Sequence, residues 1–188
     1  GTPFATVVYT KNETKLKSAK KGDFSGFSKW AKKGSKLLPE HCKPAKSKLE
    51  ALKLQREKVA ELRAEGWRVR FFNPVNRRVY IIRLKEGVWE KSKKFRKQNH
   101  DEKYRFKGYL YVGETEKTVE ERFLVHTTKP SENKIFKGSD IVFDHHKEIA
   151  YDLMKDLDDK LYDQYDSLIE EDALANRLRN KGFAVYSA

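Results

Sequence analysis

The sequence has little cysteine, little proline and no long apolar run. Its single cysteine, Cys42, excludes an intramolecular disulfide and any zinc site built from paired cysteines, which is typical of a protein in a reducing compartment. No run approaches the roughly 18 apolar residues that indicate a transmembrane helix. The N-terminus lacks the apolar stretch of a signal peptide. We therefore expect a cytoplasmic protein without a membrane partner.

Charged residues are abundant and unbalanced. The 188 residues include 41 Lys and Arg against 28 Asp and Glu, which gives a net charge of +13. This balance favours an anionic partner, of which nucleic acid is the commonest. A basic surface that serves only solubility is the alternative. The 11 Phe, 9 Tyr and 3 Trp indicate a folded core and not a wholly disordered chain.

The charge is unevenly distributed along the chain. Residues 1–70 carry a net charge of +11, whereas residues 140–172 carry −9, which predicts a solvated acidic helical face for most of that stretch. Residues 1–48 contain twelve Lys and no Arg, a composition that favours nonspecific phosphate contact over bidentate base recognition. We expect a basic, mostly helical N-terminal extension over residues 1–74 that grips DNA, followed by a second domain over residues 75–188.

Hydrophobic periodicity predicts an α+β fold with a small mixed or antiparallel sheet flanked by helices. A polar, basic stretch over residues 85–108 predicts a surface insertion. Gly66 and Gly182 follow two helical patterns at positions that suit helix termination. The expected strands are 4–9, 67–72, 79–84, 109–113, 148–153 and 183–186, and the expected helices are 46–65, one from Thr118 with a capping box to Glu121, and one from Ser167 with a capping box to Glu170.

Side chains that can carry chemistry follow one another in the second domain. A guanidinium pairs with phosphate through two hydrogen bonds and stays charged, and a carboxylate can hold a hydrated Mg²⁺. A phenol beside a cation can relay a proton, and an imidazole can orient or assist it. In chain order these features are Tyr80 in the strand VYII, Tyr111 and Gly113 in the strand LYVGET, Arg122 and His126 four apart on the next helix, and Glu171 on a late helix.

The order of these motifs resembles the GIY-YIG nuclease superfamily. The run VYII, YLYVGET, VEERFLVH, KGS and LIEEDALANRLRNKGF is similar to a small bacterial branch of that superfamily and spans residues 78–188. The resemblance implies a metal-dependent DNA endonuclease that acts on double-stranded DNA, with a restriction or other defence role and a homodimer as the form that cuts both strands. Its implied roles are Tyr80 or Tyr111 as the group that activates water, Arg122 as the ligand of the scissile phosphate, His126 as an assisting group, and Glu171 as the ligand of Mg²⁺ or Mn²⁺.

The chain departs from the family pattern at several positions. Arg78 replaces the leading glycine of the first signature, and Glu114 stands where a neutral or basic residue is commoner. The late asparagine of the family has no clear match, with Tyr186 or Ser187 nearest to its place. Two alternatives stay open: a catalytically weak nucleic-acid-binding protein on the same fold, and a nuclease that acts on RNA.

Each candidate also has a structural interpretation. The tyrosines can be core aromatics, and His126 can cap a helix end. Of three consecutive acids, Glu171 alone lies three residues before Leu174, as the resemblance requires. Basic side chains of the insertion and of the later loop are expected to contact the DNA backbone. These are Lys93, Lys94, Arg96, Lys97 and Lys137.

Overall fold

A computed structural model gives the fold of the chain and describes residues 4–10, 36–69, 73–99, 107–129, 135–157 and 160–187. The chain divides into two compact units, Gly1–Asn73 and Pro74–Ala188. Within the described ranges, every helix is too short or too polar to cross a membrane.

The first unit contains a parallel sheet and one helix in its described residues. The sheet has the strand order β2-β1-β3. Ser47 caps the helix, because its side chain accepts a hydrogen bond from the Glu50 amide, and the helix ends before Gly66 at a φ of +88°. The elements are β1 (Phe4–Thr10), β2 (Lys36–Pro44), α1 (Lys48–Ala64) and β3 (Arg68–Val69).

The expected mostly helical extension is not what the described residues form. The strand over 4–9 and the helix over 46–65 are confirmed, but residues 36–44 add a strand that the sequence did not reveal. This segment, KLLPEHCKP, contains two prolines and lacks the alternation that indicates a strand. The predictions for residues 11–35 and 70–72 lie outside the described residues.

The second unit is an α+β structure around a four-stranded mixed sheet, which confirms the expected fold class at that level. The strand order is β6-β4-β5-β7, with β4 antiparallel to β5 and β6, and β5 parallel to β7. Its elements are β4 (Arg78–Leu84), α2 (Gly87–Lys91), α3 (Lys93–Lys97), β5 (Tyr109–Thr115), α4 (Val119–Thr127), α5 (Asp140–His145), β6 (His146–Ile149), a 3₁₀ turn (Tyr151–Leu153), α6 (Gln164–Asn180) and β7 (Ala184–Ser187).

The core of this unit lies around β4 and β5. Both strands are buried along most of their length, so they read as apolar runs and not as strict alternation. Ile81, Ile82 and Val112 have no exposed surface. The register pairs Tyr80 with Gly113 and Ile82 with Tyr111, which places the two tyrosines at diagonal positions on one face of the sheet.

The insertion over residues 85–108 is not only a polar surface segment, because some of its side chains are buried in the core. Val88 and Phe95 are fully buried in the core. The side chain of Asn99 exchanges two hydrogen bonds with the backbone of Val185, at 2.7 and 3.0 Å. The side chain of Gln98 exchanges two hydrogen bonds with the backbone of Ser187 in the same way. The insertion therefore covers the outer edge of β7, which would otherwise offer unpaired backbone groups.

Two predicted boundaries are wrong. The strand over 148–153 ends at Ile149, because a 3₁₀ turn follows it. Helix α6 begins at Gln164 and not at Ser167, because the side chain of Asp163 caps it by accepting from the Asp166 amide at 2.8 Å. Ser167 is buried inside the helix, and its hydroxyl donates to a carbonyl of the preceding turn. No capping box joins Ser167 to Glu170.

Candidate active site

The two signature tyrosines lie side by side in the centre of the sheet. Tyr80 is 1% and Tyr111 is 2% exposed, and their ring centroids are 6.1 Å apart. A Cβ atom at Gly113 would lie 2.7 Å from the Tyr80 hydroxyl oxygen and 2.8 Å from the Tyr111 ring. Glycine is required at this position because the Tyr80 hydroxyl occupies the space of a side chain.

Helix α4 brings Arg122 and His126 to the Tyr80 hydroxyl group. The capping box of Thr118 and Glu121 begins this helix, as the sequence predicts. The Nε atom of Arg122 lies 3.4 Å, and the Nε2 atom of His126 lies 2.7 Å, from the Tyr80 oxygen. The four-residue spacing puts both side chains on one face of the helix, so they converge on one atom.

His126 is a hydrogen-bond donor to Tyr80. Its Nδ1 atom accepts a hydrogen bond from the Ser139 amide at 2.8 Å, so Nδ1 carries no proton. A neutral imidazole must then carry its proton on Nε2, which points at the Tyr80 oxygen. Burial, assisted by the positive charge of Arg122, lowers the pKa of His126 to about 4. The ring therefore stays neutral near pH 7, and it is neither an exposed helix cap nor a base for Tyr80.

The loop before α5 holds both α4 side chains in place. The Lys137 carbonyl accepts a hydrogen bond from Arg122 Nη1 at 3.0 Å, and the Ser139 amide binds His126. Between them, a Cβ atom at Gly138 would overlap the ring of Phe136 and would lie 2.9 Å from a carbonyl oxygen of α4. The loop approaches α4 this closely because residue 138 has no side chain.

The acceptors of Arg122 in the described part of the chain are uncharged. The side chain is half-buried, and its hydrogen bonds go to the Tyr80 hydroxyl and the Lys137 carbonyl. Within the described residues, no carboxylate pairs with Arg122, and its Nη2 atom has no hydrogen-bond partner. A guanidinium in this state is suited to bind an anionic group of a substrate.

Glu171 acts on both phenols through its charge. Burial raises the pKa of Tyr80 and of Tyr111, and the negative charge of Glu171, which is 4% exposed on α6, adds to both rises. The flanking acids are used differently, since Glu170 pairs with Arg177 and Asp172 is exposed. Of the three consecutive acids, Glu171 is the one that is buried and acts on both tyrosines.

The environments of the two phenols differ. Burial raises the pKa of Tyr80, but the charge of Arg122 and hydrogen bonds from Arg122 and Tyr111 oppose this rise. Burial raises the pKa of Tyr111 far above its usual range, and the neighbouring Tyr80 raises it further. Tyr80 is therefore the phenol that ionises more readily.

Tyr186 adds an aromatic contact to the site. Its ring stacks on Tyr111 with a centroid distance of 6.2 Å and an interplanar angle of 17°. The sequence alone indicates only that Tyr186 lies near the position of the late asparagine in the GIY-YIG pattern. Parallel pairing of β5 with β7 sets Tyr186 beside Tyr111, and a sequence pattern does not reveal that pairing.

The residues present fit a hydrated Mg²⁺ better than a metal held by protein ligands alone. Among the residues that the structure describes, no three His, Cys, Asp or Glu side chains form a cluster that could hold a metal ion. Mg²⁺ commonly keeps several waters and is bound through one or two carboxylates and substrate phosphates. A buried carboxylate at Glu171, beside two phenols, matches that mode of binding.

The basic residues expected to contact DNA fall into two groups. Lys93, Lys94, Lys97 and Lys137 are exposed. Arg96 is half-buried, and its guanidinium donates to the backbone carbonyls of residues 89 and 90 at the end of α2. Arg96 therefore has a structural role that its position among lysines did not indicate.

Glu114, the acidic departure from the family pattern, is engaged away from the phenols. It pairs with Arg77, which also pairs with Glu116. Its carboxylate also lies 3.4 Å from the Ser167 hydroxyl oxygen. Glu114 therefore links β5 to the residue that precedes β4 and to α6.

No family model, curated protein or solved structure matches the chain. The functional assignment therefore depends on the order of the motifs and on the side-chain arrangement around Tyr80.

Proposed function

We propose that the second unit is a metal-dependent endonuclease of the GIY-YIG type that hydrolyses phosphodiester bonds in double-stranded DNA. The observation that carries this proposal is the convergence of Arg122 and His126 on the Tyr80 hydroxyl, with Tyr111 and Glu171 beside it. A base, a phosphate-binding cation and a carboxylate for a metal ion are the parts that such a reaction needs.

Tyr80 is the proposed general base. N–H groups of His126 and Arg122 bind its oxygen, and these donors stabilise the phenolate that forms when the phenol proton passes to solvent water. The phenolate then accepts a proton from the attacking water, and the ring of Tyr111 packs beside it with a centroid distance of 6.1 Å. His126 keeps the phenol oriented and does not itself accept the proton.

Arg122 is the proposed ligand of the scissile phosphate. Its terminal nitrogens can contact a phosphate oxygen while Nε stays on Tyr80, which aligns the base with the phosphorus atom. Glu171 would hold a hydrated Mg²⁺ or Mn²⁺, and when bound this ion supplies positive charge that stabilises the leaving oxygen.

Nicking of supercoiled plasmid in the presence of Mg²⁺ tests the proposal. The wild-type protein should nick, and Glu171→Gln should nick at least about 100-fold more slowly while it binds plasmid equally well. Asp172→Asn is the matched control, because it removes the same charge from the exposed neighbour. Equal nicking by wild type and Glu171→Gln, or no nicking by the wild type with Mg²⁺ or Mn²⁺, would overturn the proposal.

A nucleic-acid-binding protein without catalysis is the second candidate. The observation that favours it is the raised pKa of both phenols, which leaves little phenolate at neutral pH. Plasmid binding without nicking by the wild type would support it. A parallel digest of duplex RNA tests whether RNA is the substrate.

The biological setting belongs to the same proposal. One such site cuts one strand at a time, so cleavage of both strands favours a homodimer on the DNA. A restriction or other defence role in the cytoplasm suits a nuclease unit that is joined to the lysine-rich first unit. Conversion of plasmid to linear product with second-order dependence on protein concentration tests the dimer.

A further inference from the structure

Arginines and lysines of the second unit are used differently. Arg77 and Arg83 each pair with two carboxylates. Arg96 donates to two backbone carbonyls, and Arg177 pairs with a carboxylate of its own helix. The lysines of this unit form no ion pair with any residue that the structure describes. These four arginines stabilise the protein, and the lysines keep their charge available to solvent or to a partner.

Six of these lysines line two adjoining clefts. The first cleft, of about 660 Å³, lies between helices α2, α3 and α5, and the second, of about 750 Å³, lies at the ends of β4, β5 and β6. We call the six residues the lysine band. They are Lys91, Lys93 and Lys94 in the first cleft, and Lys85, Lys107 and Lys147 in the second.

A backbone hydrogen bond joins a residue of one cleft to a residue of the other. The Lys85 amide in the second cleft donates to the carbonyl of His145, which lines the first cleft, at 2.7 Å. Burial lowers the pKa of His145, Asp144 opposes this, and the charges of Lys91 and Lys85 lower it further.

The lining of the two clefts is positive on balance. Arg83 and the six lysines face four acids, of which Glu148 is already paired with Arg83. All six lysines are exposed. Like charges gathered in concave surfaces raise the local concentration of an anionic partner and repel one another when no partner is bound.

The band lies a short distance from the candidate active site. Helix α5 begins directly after Ser139, whose amide holds His126, and ends at His145. Six helical residues span about 9 Å. Helix α5 therefore connects the loop that holds His126 to the lining of the first cleft.

We propose that the lysine band binds the phosphodiester backbone of duplex DNA outside the site that cuts it. This inference rests on the proposed nuclease function and extends it, because it separates the surface that anchors the duplex from the groups that cut it. Lysine suits that task, since it contacts phosphate as a mobile point charge without reading the base sequence.

The salt dependence of duplex binding, measured in EDTA so that no cleavage occurs, tests the inference. The triple variants K91Q/K93Q/K94Q and K85Q/K107Q/K147Q should each lower the slope of log Kobs against log salt by about two to three. The control K155Q/K160Q/K181Q removes the same charge from exposed lysines in or near the acidic stretch and should leave the slope unchanged. In Mg²⁺, the control variant should nick at the wild-type rate.

The outcomes separate this inference from the nuclease proposal. Wild-type slopes in both band variants, from a protein that binds and nicks, would overturn the band alone. Binding without nicking, with reduced slopes in the band variants, would overturn the nuclease and support the band. A wild-type protein that neither binds nor nicks would overturn both.

Discussion

The candidate active site and the lysine band differ in how they hold their polar groups: the first buries them and the second exposes them. In the site, Tyr80, Tyr111, His126 and Glu171 are almost fully buried, and the first three contact one another directly. In the band, six exposed ammonium groups have no protein partner among the described residues. Catalysis needs groups fixed in advance, and backbone binding needs mobile charge.

This difference separates two kinds of variant. Changes in the site should lower the cleavage rate at saturating DNA and leave the salt dependence of binding nearly intact. Changes in the band should do the reverse. The variants below test that separation in order of decreasing effect.

Arg122→Ala should have the largest effect. Loss of the proposed phosphate ligand and of a donor to Tyr80 should lower the single-turnover cleavage rate by about 10²–10³-fold, with the fold retained. Circular dichroism checks the fold, and Arg177→Ala, which breaks an exposed ion pair, is the control that should cleave normally. A folded Arg122→Ala protein with normal cleavage would remove Arg122 from the mechanism.

Gly113→Ala should be nearly as damaging. The added methyl group would lie 2.7 Å from the Tyr80 hydroxyl oxygen, so Tyr80 or the strand must move. We expect about 100-fold slower cleavage, and destabilisation by about 1–3 kcal/mol in urea unfolding. Gly87→Ala has no atom within 4 Å of its new methyl group and begins a helix, so it should be neutral or stabilising. Equal behaviour of the two variants would contradict the close approach at Gly113.

Ser139→Pro should reduce cleavage by about tenfold, because it removes the amide that fixes the tautomer of His126. Ser139→Ala keeps that amide and loses a side chain that makes no capping hydrogen bond, so it should behave as the wild type. The ¹⁵N shifts of the His126 ring report the tautomer independently of activity. Protonation of Nε2 in Ser139→Ala and a changed pattern in Ser139→Pro are expected; the same pattern in both variants would count against the positioning role.

A separate expectation concerns stability in mild acid, which does not depend on cleavage. The folded-state pKa of His126, about 4, lies below its ordinary value near 6.5, so between these values the unfolded chain binds a proton that the folded chain does not. The free energy of unfolding should therefore fall as pH drops from 6.5 to 4, by at most about 3 kcal/mol for this group. Urea unfolding of wild type and His126→Gln at several pH values isolates the contribution, and parallel curves would contradict it.

Local signals predicted the elements that position the site. The apolar run of β4, the glycine of β5 and the capping box of α4 are all short-range features, and each appears where the sequence indicates. The predicted start of α6 was wrong because Asp163 and Ser167 are both residues that commonly cap helices. The burial of Ser167 by tertiary contacts leaves Asp163 as the cap. Burial of Phe95 among lysines also depends on contacts distant in sequence.

The composition of the site was easier to predict than its chemistry. The resemblance named Tyr80, Arg122 and His126, and the structure brings them together. It did not reveal that His126 donates to Tyr80, because the Ser139 amide that fixes its tautomer is 13 residues away. Nor did it distinguish the two tyrosines, whose ionisation depends on which phenol receives the donors.

The single-turnover cleavage rate of Tyr80→Phe at saturating duplex DNA tests the central claim most directly. The account predicts a loss of about 100-fold or more with duplex affinity unchanged, and a smaller loss for the matched variant Tyr111→Phe. Wild-type cleavage by Tyr80→Phe, or a greater loss in Tyr111→Phe, would contradict the assignment of Tyr80 as the group that activates water.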